Sequence, residues 1–493
     1  MAQEMKAFYA LLGETNALMQ PMHVEKGMQQ PVFTRQGAFL SLQLASLAYD
    51  LQLDPWRQAG WRDVSYHVDN TLLTGEMANG GDGSGFGGLI SEYRQRLARF
   101  KAHSTNLISQ VLGTVRNREQ SDTCKAVVMC RRHESGRYLV ALGFMGTGKR
   151  MYDWIANFRF ADEEGLHRGI LQLTRHFEES LEEIEFPETA QELGLEKLTL
   201  NDILLECRRP ASRFKLWLAG HSQGGAVMQV FAYRAVRQGV LRKNLIGYSF
   251  AAPSVLYGPG AADICGIPLF HILNQDDLVC RVGARLHIGR CLVYRAKEEM
   301  RAACYGNVWM KNEFRRMLAL LQRVRDNQTA ILMLIALLRA LAALEDGETV
   351  QAVSALLGKF LPERLMGLVG GKMEDGLRFV RRYAERLYYR AVGHRRLPGG
   401  VIRCYEKYIS GMMQEMGPRP FVKVLLQAMA IPHRMRQKAS YGQVMPAYMY
   451  IVENALQELQ PVITLRHPAA RKEQREEARS RRSRAYGRFG RRI

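Results

Sequence analysis

The sequence predicts an α/β fold, a mostly parallel sheet covered by helices, and three observations predict it. Between residues 125 and 295 short apolar runs alternate with amphipathic helical stretches, the pattern of a parallel sheet with helices on both faces. A serine framed by glycines, in LAGHSQGGAV (Leu218–Val227), sits where one such run gives way to a helix. After residue 301 the strand signals stop and helical periodicity takes over. The expected organisation is an α/β unit over 1–300, with a helical part at 1–120 and a motif-bearing core at 125–295. A basic helical region at 301–465 and an arginine-rich disordered tail at 466–493 follow.

In chain order, AFLSLQLASLAYDL (Ala38–Leu51) has the spacing of a helix. NGGDGSGFGG (Asn79–Gly88) resembles a phosphate cradle only in its glycines. It lacks a Lys-Ser/Thr ending and a preceding strand, so it reads as a surface loop. KAVVMC and RYLVALGF read as two strands joined by a polar turn at Gly136. Further strands are predicted at Phe214–Ala219, Leu245–Phe250 and Pro268–Leu273, with helices near Leu166–Glu185 and Ala226–Gln238. In the last, Val227, Val230, Phe231 and Ala235 share one face, and Gly239 stops the helix. Helices are then expected at Lys311–Arg325, Ala330–Ala343, Val350–Phe360 and Gly376–Val392.

Charge divides the chain unevenly. Residues 1–300 hold 34 Lys+Arg against 32 Asp+Glu, whereas residues 301–493 hold 35 against 16, so the second part supplies nearly all of the net charge of +21. The cysteines show no C-x-x-C pair, and the first apolar run, Ala7–Leu12, is too short for a signal-peptide core. Reduced thiols in a cytoplasmic protein are the expectation. The 15-residue apolar run Ala330–Leu344 contains Arg339 and is shorter than a bilayer requires. It and the arginine-flanked 376–392 stretch suit either an interfacial, lid-like role at an anionic membrane surface or packing against the α/β unit. No recognisable nucleic-acid fold accompanies the arginine-rich tail, so nucleic acid is not the expected partner.

A strand, a tight turn and a helix around Ser222 form the setting of a nucleophile elbow, with Gly220 and Gly224 permitting close strand–helix packing. A serine hydroxyl needs a base, an orienting acid and oxyanion donors. Downstream, FHILNQDDLVCRVGARLHIG places Asp276 and Asp277 just past a strand end, with His287 ten residues beyond Asp277. His271, inside an apolar strand, reads as a core histidine, and His221 is expected to point away from the pocket in a structural role.

Several elements then match a family pattern in order: FMGT (Phe144–Thr147), DWIAN (Asp153–Asn157), HRGI (His167–Ile170), GHSQGG (Gly220–Gly225), FAAP (Phe250–Pro253), DLVC (Asp277–Cys280) and HIG (His287–Gly289). Over roughly residues 125–295 the chain resembles the fungal-type class 3 lipases, a branch of the α/β-hydrolases. The departures are Met145 for arginine, Gln223 for leucine and Cys280 for proline. The resemblance implies Ser222 as nucleophile, His287 as base, and Asp277 rather than Asp276 as the acid. The backbone N–H groups of Gln223 and Thr147, with the Thr147 hydroxyl, would bind the oxyanion. It implies cleavage of lipid esters, acylglycerols or phospholipids, with neither metal nor organic cofactor. The rival readings are a membrane-binding scaffold with vestigial activity and an acyltransferase using the same serine.

Overall fold

The computed structural model describes residues 12–20, 23–25, 28–30, 32–50, 53–68, 71–73, 124–146, 162–257, 264, 266–295, 312–343, 382, 384–386, 388–389, 397–435, 448 and 463–464. The strands that form its main sheet are β1 (Arg62–Val68), β2 (Thr71–Leu73), β3 (Ala126–Arg132), β4 (Tyr138–Phe144), β5 (Phe214–His221), β6 (Leu245–Phe250), β7 (Leu269–Asn274), β8 (Arg290–Tyr294) and β9 (Ile463–Thr464). Their order across the sheet is β9-β8-β7-β6-β5-β4-β3-β1-β2. The central strands β4 to β8 run parallel, and the two flanks are antiparallel.

Alternation along the buried strands sends side chains into two cores. On β4 and β5, Val140, Leu142, Phe144, Leu216 and Leu218 enter one. Leu139, Ala141, Trp217 and Ala219 enter the other. Helix α1 (Arg35–Asp50) covers the second face, where the Trp217 indole N–H donates to the Ser41 hydroxyl at 2.7 Å. Helices α2 (Arg168–Glu179) and α3 (Gln223–Arg237) cover the first, and Val227, Val230, Phe231 and Ala235 all face that core. A buried side chain of the size of Leu142 or Phe231 contributes about 2–5 kcal/mol over alanine.

Two parts of the sheet depart from the sequence reading. The first 120 residues contribute α1 but also β1 and β2, which extend the sheet beyond β3. Their alternation is masked because the register shifts between Arg62 and Ser65 and Asp63 has φ +50°. That turn lets the buried Asp63 carboxylate accept from the Glu188 and Thr189 amides at 2.8 and 3.1 Å. At the other flank β8 and β9 were not expected, and β9 comes from the region read as mostly helical.

The described helices of that region, α4 (Asn312–Leu321), α5 (Asn327–Ala342), α6 (Gly399–Met416) and α7 (Pro418–Ala430), share a third core. Gly417, at φ +77°, turns the chain between α6 and α7. Ile331, Ile335, Ala336 and Leu338 of α5 are buried there. Packing rather than an interfacial position therefore accounts for this apolar run, and among the described residues no helix is long and apolar enough to cross a membrane. Residues beyond 430 return to the α/β unit: Met435 and Tyr448 belong to the α1-side core. The sheet core thus draws on both sides of the expected boundary at 300. Asn79–Gly88, Val350–Phe360, most of Gly376–Val392 and the tail lie outside the described residues.

Candidate active site

The elbow is built by glycine packing. Strand β5 ends at His221, α3 begins at Gln223, and Ser222 between them has φ +56° and ψ −128°. This is a costly backbone for a residue with a Cβ, held by its surroundings. The Ser222 amide donates to the Phe250 carbonyl at 2.9 Å. A Cβ on Gly220 would overlap the Gly224 backbone, and one on Gly224 would overlap the Phe144 and Met145 carbonyls. Gly220 and Gly224 therefore allow β5, α3 and the loop after β4 to meet around the serine. Gln223 opens α3, so its amide lies at the positive end of the helix beside the hydroxyl. Thr147 lies outside the described residues.

The histidine facing Ser222 is His433, in the turn after α7. Its Nε2 lies 3.1 Å from the Ser222 Oγ, and its Nδ1 lies 3.0 Å from the Asp277 Oδ2. Asp277 is fully buried. Its Oδ2 also accepts from the Tyr448 hydroxyl at 2.7 Å, and its Oδ1 accepts from the Val279 amide at 2.9 Å. Burial alone pushes this carboxyl up, but the facing His433 and the hydrogen bonds from His433, Tyr448 and Val279 together hold it below its ordinary value. Asp276 turns elsewhere and accepts from the Gln322 side-chain amide at 2.8 Å.

His287 is not brought to the serine. Its Nε2–H donates to the Ala252 carbonyl at 2.9 Å, and its ring packs 5.2 Å from that of His271. The reason is topological. Asp277 follows the C-terminal end of β7, and β8 runs parallel to β7. The connecting chain must recross the sheet before β8 starts, so His287, three residues ahead of β8, is carried away from the elbow edge. His433 had a legible signal, since it follows a helix in the order serine, acid, histidine. His394 and His467 fit that order equally well.

The helical region also grips the acid loop. Arg281 donates to the Gln322 carbonyl at 2.6 Å, and the Gly283 amide donates to the Asn327 side-chain oxygen at 2.6 Å. His221 departs from its expected orientation. Its ring lies 4.8 Å from the His433 ring, with Nδ1 3.0 Å from the Tyr49 hydroxyl and Nε2 3.0 Å from the His433 carbonyl oxygen. His271 is the core histidine expected, bonded to the Ser249 hydroxyl at 2.6 Å and the Ile288 carbonyl at 2.7 Å.

Burial, reinforced by a neighbouring histidine, pushes both His221 and His271 down to about 3. In the unfolded chain each returns to about 6.5, so below that pH unfolding takes up protons. The stability these neutral imidazoles confer is present above pH 6.5 and is lost as the pH falls toward 3. Each is expected to cost about 2 kcal/mol between pH 6.5 and 5. Urea unfolding at pH 7, 6 and 5 checks this, and a midpoint that does not fall with pH contradicts it.

Comparison with known proteins places the motifs. The family model for class 3 lipases matches residues 141–286. Similar solved structures include the triacylglyceride lipase of Rhizomucor miehei, at 22% identity over 34% of this chain and 61% of that one, with a TM-score of 0.24. The lipase of Rhizopus microsporus var. chinensis gives 19% over 35% and 58%, with a TM-score of 0.26. Lipase II of Rhizopus niveus gives 20% over 35% and 62%, with a TM-score of 0.26. The chain spans about three-fifths of the length of each. Comparison with curated proteins returns no match. His433 lies outside the matched segment. Residues 141–286, which hold the elbow and the acid loop, thus match the class 3 lipase family.

Proposed function

We propose that this chain is a serine hydrolase of lipid carboxylic esters, acylglycerols or phospholipids, working through an acyl-enzyme with Ser222, His433 and Asp277 as its triad. The observation that carries the reading is one unbroken hydrogen-bonded path, Ser222 Oγ to His433 Nε2 at 3.1 Å and His433 Nδ1 to Asp277 at 3.0 Å. An ionised Asp277 requires the proton on Nδ1, which leaves the Nε2 lone pair aimed at the serine hydroxyl. In the proposed reaction His433 takes that proton as Ser222 Oγ attacks the ester carbonyl, then delivers it to the leaving alkoxide as the acyl-enzyme forms. Water repeats the sequence and releases the acid. The Gln223 amide is the oxyanion donor next to the nucleophile, and Thr147 is the second donor by resemblance. One such donor typically accounts for about 3 kcal/mol of barrier.

In the same reading the enzyme works in the cytoplasm at an anionic lipid surface, toward which the 35 basic against 16 acidic residues of 301–493 attract it. Esters of graded acyl length supply the test. The wild-type chain is expected to hydrolyse them and Ser222→Ala to lose about 10⁶-fold in kcat. Hydrolysis persisting in Ser222→Ala removes the mechanism. Inactivity of the wild type on every ester favours a binding role, and acyl products formed with an added alcohol favour transfer.

A further inference from the structure

A hydrogen-bonded chain joins the loop after β4 to the back of His433. The Gly146 amide donates to the Tyr49 hydroxyl oxygen at 2.9 Å. That hydroxyl lies 3.0 Å from His221 Nδ1, and His221 Nε2 lies 3.0 Å from the His433 carbonyl oxygen. The proton positions along it are forced from one end. A carbonyl oxygen only accepts, so His221 Nε2 carries the hydrogen. A buried neutral imidazole has one N–H, so Nδ1 accepts from the Tyr49 O–H. The Tyr49 oxygen is then left to accept from Gly146. Every link runs in one direction, and both links made by His221 are lost if its ring is flipped.

The two ends of this chain bear on the chemistry. Gly146 directly precedes Thr147 and packs against the elbow, since a Cβ there would overlap the Tyr49 hydroxyl and the His221 carbonyl. His433 holds the serine. Met145, at the position where the resemblance has arginine, offers no strong donor to brace this loop, whereas Tyr49, on the last turn of α1, reaches it from outside the motif region.

We infer that Tyr49 and His221 are positioning residues, a strut that fixes the spacing between the oxyanion-side loop at Gly146 and the base at His433. The inference rests on the ester-hydrolase reading. Neither side chain touches the reacting atoms. The strut acts by keeping the loop and the imidazole in one geometry, and small misplacements of such groups lower turnover by up to about 100-fold.

The test measures kcat and KM per active site on one soluble ester, with sites counted by complete reaction with a fluorophosphonate. Tyr49→Phe removes a single oxygen, and His221→Asn keeps an acceptor near Nδ1 while cutting the link to His433. Each is expected to lower per-site kcat about 10- to 100-fold with KM within about twofold. The double variant is expected to be no slower than the slower single variant, because both cut the same chain. Per-site kcat within about twofold of wild type in Tyr49→Phe, or losses that multiply in the double variant, overturns the strut. Counting only reactive sites separates this from a loss of folded protein. A wild-type chain that neither hydrolyses esters nor takes up the probe contradicts the hydrolase reading instead, and removes the strut's chemical role with it.

Discussion

His433→Ala is expected to lower kcat for ester hydrolysis by about 10⁵- to 10⁶-fold, whereas His287→Ala leaves per-site kcat within about tenfold of wild type. The contrast follows from what each imidazole touches. His433 bridges the Ser222 hydroxyl and the Asp277 carboxylate, so its removal leaves a serine with no base at hydrogen-bond distance among the described residues. His287 donates to the Ala252 carbonyl and packs on His271. Its loss leaves a buried carbonyl without that donor and opens a gap beside His271, a cost of about 1–3 kcal/mol in folding stability. Steady-state kinetics on a soluble ester, together with thermal unfolding of both variants, separates the two roles. Catalysis surviving in His433→Ala and lost in His287→Ala would reverse the assignment.

Asp277→Asn is expected to cost about 10⁴-fold in kcat with little change in fold. The Val279 amide donates to one carboxylate oxygen, while His433 and Tyr448 donate to the other. Asparagine keeps an oxygen for Val279 only by turning its NH₂ group toward His433. The imidazole must then accept at Nδ1 and carry its proton on Nε2, facing the serine, where it can no longer act as a base. Asp276→Asn is the matched control. Its carboxylate accepts from Gln322 on the helical region, so that variant is expected to stay within about tenfold of wild type in kcat. Equal losses in the two variants would contradict the division of roles between these neighbouring carboxylates.

Local features of the sequence were enough to single out Ser222 and Asp277. Ser222 lies between a continuous apolar strand and an amphipathic helix, and the glycines that let them meet are written beside it. Asp277 lies at the end of a strand with its own apolar run. The histidine that faces Ser222 was less accessible because its place depends on a connection. CLVY, Cys291–Tyr294, is only four residues long and shows no polar–apolar alternation, so it did not read as a strand. Without β8 in place, nothing showed that His287 lies on the return side of a parallel crossover. His433 comes from beyond the four described helices α4 to α7, and the packing of that region on the acid loop, through Gln322 and Asn327, brings it back. The same long-range closure hid β9 and Tyr448, which join the sheet and the acid from a stretch whose composition points to helix. Tyr49 was visible as a helical residue. Its role was not, because the sequence separates it from Gly146 by nearly a hundred residues.

The most direct measurement is the rate at which a fluorophosphonate bonds to Ser222, read by mass spectrometry of the intact chain and its peptides. The serine is expected to react in wild type and in His287→Ala at rates within about tenfold of each other, and at least about 10⁴-fold more slowly in His433→Ala. Rapid reaction at Ser222 in His433→Ala would contradict the pairing of that hydroxyl with a histidine delivered by the C-terminal half.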